Sequence, residues 1–145
     1  MGSRKQMQNW HSEILITTDP LLTPGKSWDG NAGATLDFWG VVRELEDGRE
    51  IRGIEYEAHL AMAQHQMEML AEAAREKFSL REVILRHRIG FVATGEASLF
   101  LRVSSAHREA AFEGSAWMIA ELKKKVPIWK RPLFVRAEAR AAVQQ

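Results

Sequence analysis

Between Ser12 and Thr18 the chain alternates: Ile14 and Ile16 face one way and Leu15 the other, the two-residue period of a strand. Asp19-Pro20 closes it, because proline restricts its predecessor and has no amide hydrogen to give a ladder. The next stretch, DPLLTPGKSWDGNAG, mixes turn residues with Leu21, Leu22 and Trp28 and reads as an ordered loop or short helix pinned by those side chains. From Ala34 to Arg43 the alternation returns, with Ala34, Leu36, Phe38 and Val42 on one face and Asp37, Trp39, Val41 and Arg43 on the other. Gly40 inside this strand marks a bulge or a close backbone approach. Glu46-Asp47-Gly48-Arg49 then predicts a hairpin, and Glu50 to Ala58 the return strand, with Ile54, Tyr56 and Ala58 on one side.

At His59 the period changes. Ala63, Met67, Leu70 and Ala74 fall at steps of four, three and four, a helical stripe that runs to Lys77 and stops at Ser79. Met62, Met67 and Met69 read as packing. Glu82 to Ile89 and Ser98 to Ser104 alternate as two more strands, linked by Gly90 to Gly95. A second helix runs from about His107 to Lys125, with Ala111, Ser115, Met118 and Leu122 as its stripe, widened by Phe112 and Ile119. Ser104 or Ser105 is placed to cap its first amides, and Pro127 lies at or beyond its end. Pro132 to Arg136 is the last short strand. Helices set apart from hairpins predict an α+β fold of antiparallel sheets with two main helices, in a single domain over residues 1 to 145.

Composition narrows the function classes. The 145 residues are 46% apolar, enough for one domain with a core. Twenty basic and nineteen acidic residues leave a net charge of +1, which argues against a general nucleic-acid binder. The charge is unevenly placed: Lys123, Lys124, Lys125, Lys130, Arg131 and Arg136 fall between 123 and 136 with no acid among them, so the local field is positive. With no cysteine there is no disulfide, thiolate metal site or cysteine nucleophile, and any sulfur chemistry must use sulfur carried by something else. No apolar run reaches signal or transmembrane length, so a soluble, cytoplasmic protein without membrane contact is expected.

Within ELKKKVPIWKRP, Lys123 sits in the last turn of the second helix and Lys130 beyond Pro127, in a segment stiffened by Ile128 and Trp129. Two ammonium groups sharing a pocket repel, and repulsion and burial both prepare such a group for acid or base work. The plainer reading is that lysines at a helix C-terminus favour the dipole and face water, which suits Lys124 and Lys125. His107 and Arg108 open the same helix, where free amides and a guanidinium fork suit an anion, although a histidine at a helix start equally suits a local cap or a surface group. Arg43, at the end of a strand, reaches into a pocket or pairs with Glu44 or Glu55. Asp37, Glu55 and Glu57 could orient the bases, and His87 shares its strand's inward face, as a satisfied core histidine would. No histidine–acid spacing makes a metal site, and there is no glycine-rich phosphate loop or nucleophile elbow.

FWGVVR at 38 to 43, GIEYEAH at 53 to 59, HRIG at 87 to 90, VSSAHREAAF at 103 to 112 and LKKKVPIWKR at 122 to 131 carry a resemblance to the large, catalytic subunits of molybdopterin synthase, over roughly residues 12 to 136. The resemblance implies an α+β fold with a β-hammerhead sub-domain. It implies a sulfurtransferase that converts cyclic pyranopterin monophosphate to molybdopterin, with no permanently bound cofactor. The sulfur would arrive as the C-terminal thiocarboxylate of a small ubiquitin-like subunit ending in Gly-Gly, and two copies of the large subunit would form the centre of a heterotetramer. Since this chain ends AAVQQ, the donor would be a separate protein.

On the matching positions, the resemblance implies that Lys123 lies at the end of the partner's tail, moves protons and stabilises the thiocarboxylate or its tetrahedral adduct. Lys130 would hold charge developing on the substrate, and Arg43, His107 and Arg108 would bind its cyclic phosphate and pterin edge. One departure stands out: where many members continue with Asn-His-Asn, Arg43 is followed here by Glu44-Leu45-Glu46, which alters the rim of the pocket. The competing reading is a non-catalytic anion- or protein-binding module of the same fold.

Overall fold

The computed structural model describes residues 10–26 and 30–136; Trp28, one of the side chains expected to pin the first loop, lies outside them. Ten elements follow in order: β1 (His11–Thr17), β2 (Ala34–Val41), β3 (Leu45–Glu46), β4 (Arg49–Ala58), α1 (Leu60–Phe78), β5 (Glu82–Arg88), β6 (Gly90–Ala93), β7 (Ala97–Ser105), α2 (Arg108–Lys125) and β8 (Ile128–Phe134). They form two four-stranded sheets, one in the order β1-β5-β7-β2 and the other with β4 between β6 and β8 and hairpinned to β3. The class is α+β, as the segregation of helices and hairpins predicts. One pair departs from the antiparallel expectation: β1 lies parallel to β5, His11 opposite Glu82 through Thr17 opposite Arg88.

Alternation along β7 builds the larger core. Leu99, Leu101 and Val103 face the helices and meet Val83 and Leu85 of β5, Met67, Leu70 and Ala74 of α1, and Ala111, Met118 and Leu122 of α2. Burying each large side chain in that set stabilises the fold by about 1.5–3 kcal/mol. The opposite face of β7 is also covered, by the loop after β1. Arg102, 3% exposed, grips Asp37 through two hydrogen bonds of 2.7 and 2.9 Å and donates to the Gly25 carbonyl, while Arg86 holds Glu13 and donates to the Leu22 carbonyl. Asp37 therefore serves an arginine of the framework.

A second, smaller core of Val42, Ile51, Ile54 and Val92, with Tyr56 and Phe134 against it, belongs to the β3-β4-β6-β8 sheet. Its hairpin is the one Asp47-Gly48 calls for: both residues have positive φ, 51° and 75°, the twist that two-residue loops need. At Gly53 a Cβ would run into the Phe91 ring and the Val92 carbonyl of β6, so only glycine lets these backbones approach.

Several local expectations need correcting. The Gly90–Gly95 link contains β6, paired to β4 from Gly53 to Tyr56, a strand too short to show a period. β8 starts at Ile128, four residues before the predicted strand; Pro132 is tolerated inside it because β8 pairs on one side only. Met67 is fully buried, but Met62 and Met69 lie off the 63-67-70-74 stripe and are exposed, as is Phe112 on α2. Neither serine caps α2: His107 is the N-cap without a side-chain bond, Ser104 is engaged with Thr35 and Glu82, and Ser105 donates to the His107 carbonyl. Gly40 does mark an irregularity, a register shift between β2 and β7 at Gly40/Val41.

Candidate active site

Where the two sheets meet the last turns of α2, a cavity of about 480 Å³ opens. Phe38, Gly40 and Val41 of β2 form one wall, and Ile119, Leu122 and Lys123 of α2, followed by Val126, form another. Tyr56 of β4, His87 of β5 and Ser98 of β7 supply its polar inner surface, and Ile128 and Lys130 of β8 its remaining edge. The size suits a small-molecule ligand.

Lys123 comes to this cavity because it follows Leu122, whose burial in the larger core fixes the rotation of the last helical turn. Lys123 has no ion-pair partner among the described residues, whereas Lys125 binds Glu121 at 2.9 Å, a bond that holds the Glu121 carboxyl below its ordinary range. Lys130 arrives on a strand rather than in a loop. It stands directly opposite Tyr56 in the β4–β8 ladder, so the two side chains share a face with Cβ atoms about 5 Å apart. Pairing with β4 and half-buried Ile128 hold it there, while Trp129 is 60% exposed and anchors nothing. The Lys130 ammonium lies 3.7 Å from Glu46, so the acidic replacement in the hairpin reaches the cavity's edge. Both lysines are exposed, so the burial expected for them is absent.

The other three predicted residues are not in this cavity. Arg43 is exposed in the segment after β2, two residues past the lining residue Val41, with no ion pair to Glu44 or Glu55 among the described residues. His107 and Arg108 are exposed at the opposite end of α2, where Arg108 makes only a loose 3.8 Å contact with Glu109. At about 1.5 Å of rise per residue, the helix separates His107 from Lys123 by roughly 24 Å. One chain thus gathers two of the five residues.

Sequence reasoning undervalued the inner surface. His87, read as a core histidine, is indeed buried at 8% exposure, yet it also lines the cavity. Its Nδ1 is 2.8 Å from the Arg88 carbonyl oxygen, and Tyr56 packs against its ring edge-on with centroids 5.3 Å apart. Burial lowers the His87 pKa from the ordinary 6.5, and the bond to the Arg88 carbonyl opposes part of that shift. Tyr56 in turn donates from its hydroxyl to Ser98 Oγ at 3.2 Å. The alternation of β5 put His87 on its inward face and that of β4 put Tyr56 beside Ile54 and Ala58, but neither showed that the two meet Ser98 in one cavity. Among the described residues no group of three or more histidines and acids could hold a metal, and no helix is long and apolar enough to cross a membrane.

Residues 16–125 match the family described as MoaE protein. A Thermoplasma volcanium protein named molybdopterin synthase catalytic subunit is 41% identical over 104 residues, 72% of this chain and 76% of its own length. The chain spans about half the length of the rat and human proteins of that name, which it also matches. Molybdopterin synthase from Staphylococcus aureus shares the fold with a TM-score of 0.78 and 28% identity, over 84% of this chain and 91% of that one. A Helicobacter pylori structure, a complex of subunits 1 and 2 of molybdopterin-converting factor, shares it with a TM-score of 0.61 and 20% identity, over 87% of this chain and 90% of that one.

Proposed function

The chain belongs to the MoaE family, and from that membership we propose that it is the catalytic subunit of a molybdopterin synthase, an enzyme of molybdenum cofactor biosynthesis. It converts cyclic pyranopterin monophosphate to molybdopterin with sulfur from the C-terminal thiocarboxylate of a small, separate carrier subunit. The observation that carries this reading is the meeting of Lys123 and Lys130 at the rim of one cavity of ligand size, brought there by a helix end and a strand far apart in chain order. Ammonium groups fixed beside a ligand stabilise negative charge as it develops, and a lysine within reach can also pass a proton. We assign proton transfer and stabilisation of the acyl-sulfur adduct to Lys123, which unlike Lys130 has no ion pair among the described residues, and charge stabilisation on the pterin to Lys130.

The apolar lining residues Phe38, Val41, Ile119 and Val126 suit the passage of a narrow Gly-Gly tail. Arg43, His107 and Arg108 bind the phosphate in this proposal. Because His107 and Arg108 lie at the far end of α2 from Lys123, they serve a site completed by a second copy of the chain, in keeping with a central homodimer. The deciding experiment incubates the protein with thiocarboxylated carrier and cyclic pyranopterin monophosphate. Molybdopterin should form with wild-type protein and not with Lys123→Ala; a folded protein that yields no dithiolene product overturns the proposal.

A further inference from the structure

The two lysines leave one demand of the proposed chemistry unmet. When sulfur passes from an acyl carbon to a pterin carbon, the joined species is a thioester, and freeing the carrier requires water to cut it. The water oxygen bonds to the acyl carbon, the carbon–sulfur bond breaks with its electron pair going to sulfur, and the carrier leaves as a carboxylate. Two protons are shed, no oxidant or reductant is used, and a group is needed to accept a proton as water attacks. An ammonium group has three donors and no acceptor.

Among the side chains lining the cavity, His87 is the one with a basic lone pair to offer. A carbonyl oxygen can only accept, so the 2.8 Å contact with the Arg88 carbonyl puts the proton on Nδ1 and leaves Nε2 bare. The Tyr56 ring fixes the imidazole plane, and the Tyr56 hydroxyl is occupied by Ser98. The charged or titratable groups that share the cavity are Tyr56 from β4, Lys123 from α2 and Lys130 from β8; β2 contributes only Phe38, Gly40 and Val41. Burial, which lowers the basicity of His87, keeps the ring neutral at pH 7 and therefore able to accept.

We infer that His87 is the proton acceptor of this cavity, its Nε2 taking a proton from the water that cleaves the acyl–sulfur bond; the inference rests on the synthase reading above. The proton then returns to solvent, and Lys123 steadies the oxyanion of the tetrahedral adduct. The test is single-turnover reaction of the wild type and His87→Gln with thiocarboxylated carrier and cyclic pyranopterin monophosphate, followed by mass spectrometry of the intact carrier. The variant should accumulate a carrier–pterin thioester and release product about 100-fold more slowly. The wild-type rate should fall on the acid side as the imidazole is protonated, a limb missing from the variant. A folded His87→Gln that matches wild type in both rate and pH profile overturns the inference while leaving the synthase reading intact. A wild type that forms neither adduct nor product removes both. Should the variant not fold, ¹⁵N NMR of the wild type decides: Nδ1 should carry the proton at pH 7 and the Nε2 resonance should shift when carrier is added. A proton on Nε2, or a resonance indifferent to carrier, overturns it.

Discussion

The two ends of α2 both carry cations, yet they have different surroundings. At the C-terminal end Lys123 is flanked by buried Leu122 and Val126, and strands from both sheets complete a cavity around it. At the N-terminal end His107 and Arg108 stand in solvent, with the Arg108 side chain 82% exposed and no side-chain cap on the helix. A cluster of positive charge becomes a site only where neighbouring elements supply walls. By that criterion the C-terminal end has walls supplied by the chain itself, and the N-terminal end has none among the described residues.

The largest effect expected from this contrast is on turnover. Lys123→Ala should reduce molybdopterin formation by about 100-fold or more without moving the melting temperature, whereas Lys125→Ala, which removes only a surface pair, should leave the rate within about twofold. A sharper test asks whether the two ends work in different chains. Lys123→Ala and Arg108→Ala, each impaired alone, should regain about a quarter of wild-type activity when mixed and allowed to exchange, because half of the dimers then hold one intact site. No recovery despite exchange would mean that both residues act within one chain or that Arg108 has no part.

A third variant alters the cavity without touching a charge. Gly53→Ala drives a methyl into the β6 backbone and the Phe91 ring, so unfolding free energy should drop by about 1–3 kcal/mol and activity should fall as β4 shifts and carries Lys130 with it. A variant of unchanged stability would show that the two backbones can separate freely. The smallest effect is the pH dependence of folding. Because the folded-state pKa of His87 is depressed, the unfolded chain binds more protons below the ordinary value of 6.5. Its contribution to stability is complete above that value and is lost as the pH falls toward the folded pKa. Urea titrations between pH 7.5 and 5 should show this decline, and His87→Gln should flatten it.

Local chemistry was legible in the chain itself. The two-residue periods of β1, β2, β4, β5 and β7, the stripe of α1 and the Asp47-Gly48 hairpin all follow from contacts between residues close in sequence, and the structure bears them out. Met62, Met69 and Phe112 were misjudged because hydrophobicity alone does not tell a core face from an exposed one. The lining of the cavity was half legible. Lys123 and Lys130 stood out by charge, but His87 looked like ordinary core, since a buried histidine and a cavity histidine have the same place in an alternating strand. What the sequence by itself determined was therefore the longer elements, though not β6 or the start of β8, together with the sign of the charge near the C-terminus and the absence of an intrinsic thiol. Tertiary structure alone decided that β8 lies along β4 with Lys130 opposite Tyr56, and that β5 brings His87 to the same space. Those choices depend on pairings between distant segments, whose energies come from shared cores and ladders that no local pattern encodes.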